Sequence, residues 1–374
     1  MEKQRGSFSS IESLESRTLL AATLPAGFHL STVVSGFAEP TAEVVTPDGR
    51  VFIAEKQGEV RVVQNGVMRR KPLLSVNVDT FSERGLDGIV LDPNFATNGF
   101  IYVYYTKADP SKPNVRNNQA MNRLSRFTVD PERPNRVLPN SEVVLLDNIP
   151  STEGNHNGGS MQFGADGMLY LGVGDAGVSS NGQKLLTLNG KVLRLNVEDP
   201  GNIIPPDNPF VGHPKALPEI WAYGFRNPFT SAVLPGTNTI YVNDVGSSGL
   251  PVTEEVDQLV KGGNFGWDIG EGRLHKHGLI DPVYSYAHPN QPGAITGGVF
   301  YTGTQFPASF DGQYLLSDFI MGFIRQVNPS THGESGFATG LDKPIDLDMA
   351  PDGSLLVLSL DGVLFRLTYT PPRS

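Results

Sequence analysis

The sequence predicts an all-β chain folded as a six-bladed β-propeller, and three observations carry that expectation. Glycine (42 residues) and proline (29) make up close to a fifth of the 374 residues, without any low-complexity tract. That density of turn formers suits many short strands joined by tight loops. One pattern then recurs: an Asp-Gly turn or its equivalent, an alternating apolar strand, a polar break and a second strand. Asp-Gly between alternating runs is a strong hairpin signal. Finally, about 350 residues beyond the N-terminal segment divide into about six units at roughly 50 to 60 residues each.

The units follow in order. "TPDGRVFIAEKQGEVRVV" (46–63) is the first, and "GADGMLYLGVGDAG" (164–177) leads into "GKVLRLN" (190–196). "PGTNTIYVNDVG" (235–246), "DGQYLLSDFIMGFIRQV" (311–327) and "APDGSLLVLSLDGVLFRLTY" (350–369) complete the series. A β-sandwich would not return so regularly to one turn. The last strand, "GVLFRLTY", is expected to pair with an N-terminal strand, sealing the ring and removing an open edge. "LSRFTVD" (124–130) reads as strand rather than helix, and 106–119 and 199–218 read as long loops, where sites gather.

Charge and composition exclude several functions. The net charge of −10 argues against general nucleic-acid binding, which needs a basic footprint. With no cysteine there is no thiolate catalysis, disulfide or Cys–zinc site. No apolar run approaches the 18 or so residues of a membrane span. Residues 1–24 are polar and serine-rich and are set apart as a leader or disordered segment, leaving 25–374 as one propeller domain. "LESRTLLAA" within them resembles a leader of exported bacterial proteins, so the expected location is periplasmic, cell-surface or extracellular.

Four stretches could carry chemistry. His156 lies among Gly and Asn, and Asp175 follows nineteen residues later in "GDAG". A histidine in such a loop is more often a bracing residue, and Asp175 could serve an Asx turn. If the two turns meet at one end of the ring, however, the carboxylate fixes the imidazole tautomer and leaves the other nitrogen as a base. Arg226 and Asn227, in "WAYGFRNPF", offer either a structural ion pair or a fork for a carboxylate-bearing ligand. The oxygen-rich loop 242–272 suits calcium, unless Asp244 and Glu254 merely face solvent; Trp267 there reads as blade core. The loop at 82–85 could present Glu83 or Arg84 to the channel. His275 and His277 show no third ligand and read as surface loop, and "DLDMAPDG" (346–353) reads as strand and turn, not a calcium loop.

"GLDGIVLDPNFATNGFIYVYYT", "HNGGSMQFGADGMLYLGVGDAG", "NGKVLRLN", "WAYGFRNPF", "EEVDQLVKGGNFGW" and "GGVFYTGTQFPASFDGQYLLSDF" occur in this order. Together they resemble the soluble quinoprotein glucose/sorbosone dehydrogenase family, which includes aldose sugar dehydrogenases and hedgehog-interacting-protein-like propellers. The resemblance spans roughly residues 27 to 369. It implies a cofactor, pyrroloquinoline quinone (PQQ), and calcium at one end of the channel. His156 matches the general base that takes the proton from a sugar's anomeric hydroxyl, and Asp175 the carboxylate that orients it. Arg226 and Asn227 match quinone-contacting residues. The carbonyls around Gly246 and Ser247 match a calcium site, and Glu255 a second, structural one in some members. Glu83 stands where glucose-oxidising members carry glutamine. Those members also use a lysine where this chain reads "DFIMG" and two arginines where it has Lys343 and Ile345.

The function so implied is oxidation of an aldose at C1 to its lactone, with electrons passed to an external acceptor and no nucleic-acid partner. The alternative is a non-enzymatic, calcium-stabilised propeller that binds a glycan or protein. A propeller lactonase would need several carboxylate or asparagine ligands around one central metal. Neither motif nor charge fixes the oligomeric state, monomer or dimer.

Overall fold

The computed structural model describes residues 22–112, 114–116, 118–247, 249 and 251–372. Most of the expected leader lies outside the described residues. The six sheets are six blades. Blade one comprises Pro40–Val45, Val51–Glu55, Glu59–Gln64 and Val67–Met68, with Leu74–Ser75 also paired to its third strand. Blade two comprises Leu86–Leu91, Phe100–Lys107, Met121–Thr128 and Val143–Pro150, and blade three Met161–Phe163, Leu169–Val173, Lys191–Leu195 and Ile220–Tyr223. Blade four comprises Pro228–Val233, Ile240–Asp244, Val252–Gln258 and Tyr284–His288, and blade five Ile295–Phe300, Tyr314–Asp318, Phe323–Val327 and Glu334–Thr339. Blade six takes Pro344–Met349, Leu355–Ser359 and Val363–Tyr369 from the C-terminal end and Phe28–Ser35 from the N-terminal end.

The first strands of successive blades touch in a closed cycle, the first of blade six meeting that of blade one. The expected closure is present: Phe28–Ser35 runs antiparallel to Val363–Tyr369, Phe28 opposite Tyr369. Ordered packing begins a little before residue 25. Thr23 pairs with Thr339 of blade five, its N–H donating to the Thr339 carbonyl at 2.8 Å, and Ala22 and Leu24 pack against the blade five–six core.

Each of the six buried apolar clusters joins two neighbouring blades, so the core is a set of inter-blade layers. This explains a departure from the simple alternating pattern. The second strands, such as Leu169–Val173 and Leu355–Ser359, are buried at every position, because both faces of a blade are covered.

Links between blades, and the turns from second to third strand, gather at one end of the ring; the other two turns of each blade gather at the opposite end. A cavity of about 350 Å³ fills the channel toward this second end. Four carboxylates line it: Glu43, Asp87, Asp346 and Asp348. Asp346 accepts the Glu43 N–H at 3.0 Å and Asp348 the Val45 N–H at 2.9 Å, tying blade six to blade one. The Glu43 carboxylate itself is buried without a hydrogen-bond partner. Burial, then repulsion from its neighbours, holds the Glu43 carboxyl well above its ordinary range, and burial pushes Asp346 up to about 7 and Asp348 to about 6. Such groups retain protons in the folded chain that the unfolded chain has already released. Stability therefore falls as pH rises from about 4 through 7. Glu43→Gln removes one of these charges. Its melting temperature should exceed the parent's at pH 8 and match it at pH 5; equal melting curves at both pH values would show that Glu43 carries no such penalty.

Candidate functional site

The link between blades two and three carries His156 to the end where the inter-blade links gather. Its backbone is left-handed (φ 53°), a conformation uncommon outside glycine though tolerated by histidine, and of the kind held at functional sites. Two contacts fix it there: its N–H donates to the Glu83 carboxylate at 2.7 Å, and its carbonyl accepts the Ala176 N–H at 3.2 Å. The turn after Leu169–Val173 brings Asp175 alongside. Gly174 permits this approach, because a Cβ there would collide with the His156 carbonyl. His156 Nδ1 and Asp175 Oδ1 are 2.7 Å apart.

Asp175 is almost wholly buried and held by three further bonds. Gly177 N–H donates to Oδ1 at 2.7 Å, the Trp267 indole N–H to Oδ2 at 2.8 Å, and Asp175's own N–H donates to the Arg226 carbonyl at 2.8 Å. A carboxylate so saturated stays put and accepts from Nδ1–H. The neutral imidazole then carries its free lone pair on Nε2, which has no hydrogen-bond partner among the described residues.

Trp267 is therefore not blade core, as the sequence suggested. It is partly exposed, buttresses the dyad through its indole N–H, and lies 5.7 Å beneath the Arg226 guanidinium. Arg226 donates Nη1–H to the Val245 carbonyl at 2.9 Å. Its backbone N–H and that of Asn227 both donate to Asp244, at 2.9 and 2.6 Å, and Asn227 Oδ1 accepts the Gly158 N–H at 3.1 Å.

Gly158, Asn227 and Val245 line a cavity of about 290 Å³, whereas Arg226, Asp244 and Trp267 line a separate small pocket beside it, so the expected arginine is not in the cavity wall. Its polar side includes Asn157, Gly158 and Asn227; blades five and six supply Phe319, Ile320, Ile345 and Leu360. His156 stands at the edge, between its wall neighbour Asn157 and its wall partner Glu83. The charged residues of the wall are Glu83 and Asp87, both acids. Lys343, the expected cofactor-binding cation, is outside the wall, with its ammonium 2.6 Å from Asp361. Arg84 is fully buried and turned away, bonded to Ser151 and Asn118 and paired with Asp79 at 3.5 Å. Of the two candidates on that loop, Glu83 alone reaches the cavity. His275 and His277 are exposed, His275 paired with Asp281.

Behind Arg226 lies an acidic pocket. Asp244 and Glu254, expected as solvent-facing if not functional, are buried. One oxygen from each of Asp244, Glu255 and Asp257 falls within 4.8 Å of the others, and both Asp257 oxygens lack partners. Burial pushes Asp244 up to about 7 and, with mutual repulsion, holds Glu255 and Asp257 well above the ordinary range. Hard, close-set oxygens, those of Asp257 without partners, fit calcium. Gly246 and Ser247 sit beside this pocket with their N–H groups donated to Glu254 (3.1 Å) and Glu271 (2.6 Å).

Asp257 was missed in the sequence, although its period-2 spacing from Glu255 within a strand puts both on one face. Lys191 was missed as well. It is wholly buried, with its ammonium donating to the carbonyls of Asn181, Gly182 and Asn189, and burial lowers it to about 7 against the pull of Asp175. A lysine opening a largely apolar strand that also holds Arg194, "GKVLRLN", was its only trace.

A histidine–carboxylate dyad thus stands beside an amphipathic cavity at one end of the six-bladed ring. Residues 37–366 match the family described as Glucose / Sorbosone dehydrogenase, and the chain belongs to that family. The aldose sugar dehydrogenase YliI of Escherichia coli is 30% identical, covering 90% of this chain and 91% of its own. The human hedgehog-interacting protein is 28% identical over 78% of this chain but only 42% of its own length. The PQQ-bound aldose sugar dehydrogenase of Streptomyces coelicolor shares the fold, with a TM-score of 0.74 at 22% identity, covering 93% of this chain and all of that one.

Proposed function

We propose that this protein is a PQQ- and calcium-dependent dehydrogenase that oxidises an aldose-type sugar at C1 to the lactone. The observation that carries the reading is the 2.7 Å contact from His156 Nδ1 to an Asp175 held by Gly177 and Trp267, at the edge of the cavity. Nε2 takes the proton of the anomeric hydroxyl, while Asp175 stabilises the imidazolium that forms and prevents the ring from turning. PQQ, when bound, accepts the hydride and later yields two electrons to an external acceptor.

The residues fit this cofactor on a condition. The cavity offers polar groups on one side and apolar side chains on the other; Asn227 lines it, and Arg226 lies just behind the wall, bonded to the Val245 carbonyl. A polyanion, however, meets Glu83 and Asp87 in the wall, while Lys343 is already neutralised by Asp361. Charge compensation then falls to Arg226 and to a calcium at the carbonyls around Gly246 and Ser247, because a calcium held by Asp244, Glu255 and Asp257 has its charge met by its own ligands; quinone binding should therefore depend on calcium. The L-E-x-R-x-L-L-type segment supports export of the protein.

The test is to add PQQ to purified protein with and without calcium, then follow the absorbance change and dye reduction with a panel of aldoses. Calcium-dependent spectral change and lactone formation are expected. The acid-lined wall favours one second reading, a calcium-stabilised propeller that binds a glycan or protein without redox chemistry. Thermal stabilisation by calcium with no spectral response to PQQ would establish that reading and sink the first.

A further inference from the structure

At the end of the ring away from His156, the outer edges of blades one and two form a groove lined by Arg69, Arg70, Lys71, Arg133 and Arg136. All five are exposed. The groove is built, not incidental. Gln64 Oε1 accepts from both Arg69 (Nε, 3.2 Å) and Asn135 (3.2 Å), the Val137 N–H donates to the Leu73 carbonyl at 3.0 Å, and Arg50 reaches across to the Pro134 carbonyl. These bonds clamp the blade-one hairpin to the blade-two loop and hold the cations together against their mutual repulsion.

Few acids offset them. Asp130 pairs with Arg133 (2.8 Å) and Arg136 (3.5 Å) through their Nε atoms only, and Glu132 is exposed nearby. Arg70 and Lys71 pair with no carboxylate among the described residues. On a chain of net charge −10 this is a local inversion of sign. Its forks match carboxylate or sulfate oxygens two at a time.

We propose that the groove docks a linear acidic polysaccharide, and so anchors the protein by the face opposite its sugar site. The shape favours a thin chain. A broad polyanionic surface such as duplex DNA or an anionic bilayer would also meet the acidic remainder of the molecule, and the lining holds no aromatic side chain on which a base could stack.

The experiment uses the full chain on immobilised heparin and polygalacturonate, with dextran as neutral control. Three proteins are compared: the parent, R70E/K71E, and K215E/K276E, whose exposed lysines lie elsewhere and whose charge change is identical. The parent should be retained on one or both polyanions at about 50 mM NaCl, elute with added salt and ignore dextran. R70E/K71E should bind at least about tenfold more weakly with a shallower salt dependence, and K215E/K276E should behave like the parent. Unchanged melting temperatures confirm that both variants are folded. The proposal is overturned if the parent passes through at low salt, or if both variants lose binding equally, which would make the effect one of net charge. It is also overturned if duplex DNA or anionic phospholipid vesicles bind the parent more tightly than the glycans at the same salt.

Discussion

His156→Ala is expected to lower kcat for sugar oxidation by about a thousandfold while KM moves little, since a positioned base typically contributes 10² to 10⁴. The size follows from the geometry. Asp175 is locked by Gly177 and Trp267, so it cannot swing into the position of Nε2. Because the side chain acts on the proton in flight and not on the bound sugar, the loss belongs in kcat. Asp175→Asn should cost about a hundredfold or more by a different route: an amide can present its N–H to Nδ1 and shift the ring proton to Nε2, removing the lone pair. Added imidazole should partly restore the alanine variant and do nothing for Asp175→Asn. Steady-state kinetics with PQQ and calcium saturating decide the matter, and a mere few-fold loss for His156→Ala would place the base elsewhere.

The second large effect concerns stability. Calcium at about a hundred times its dissociation constant should stabilise the folded chain by about 2.7 kcal/mol, as any ligand of the native state alone must. For a chain of this size that is a rise of the order of 5 °C in melting temperature. Asp257→Asn should abolish the rise. The same variant, measured in chelator at pH 8, should melt above the chelated parent, because it removes an unpartnered buried carboxylate crowded by Asp244 and Glu255. Opposite signs with and without calcium are the signature of a metal ligand. A residue that merely packs would lower the melting temperature in both conditions. Differential scanning fluorimetry across a calcium titration measures both arms.

The sequence made the ring legible because five of the six blades repeat one hairpin grammar, and Asp-Gly turns or their equivalents punctuate it regardless of what packs around them. It could not show that the second strands are buried on both faces. "LYLGV" and "LLVLS" look like half-buried strands until neighbouring blades cover them. His156 and Asp175 stood out because a Gly/Asn loop isolates a titratable residue. Arg84 misled for the same reason, since a loop arginine looks exposed until Asp79, Ser151 and Asn118 close over it.

What the chain determined by itself is local: turn positions, strand periods, the absence of cysteine, and the residue types that a base, a fork and an oxygen-rich loop require. Hydrogen-bonding and steric preferences of short segments set these without outside contacts. Only the tertiary structure decided that Trp267 braces Asp175 across 92 positions, that Lys343 pairs with Asp361, and that Asp257 faces Asp244 and Glu255 in a buried pocket. Those pairings come from blades meeting around an axis, and burial then changes what each charge costs.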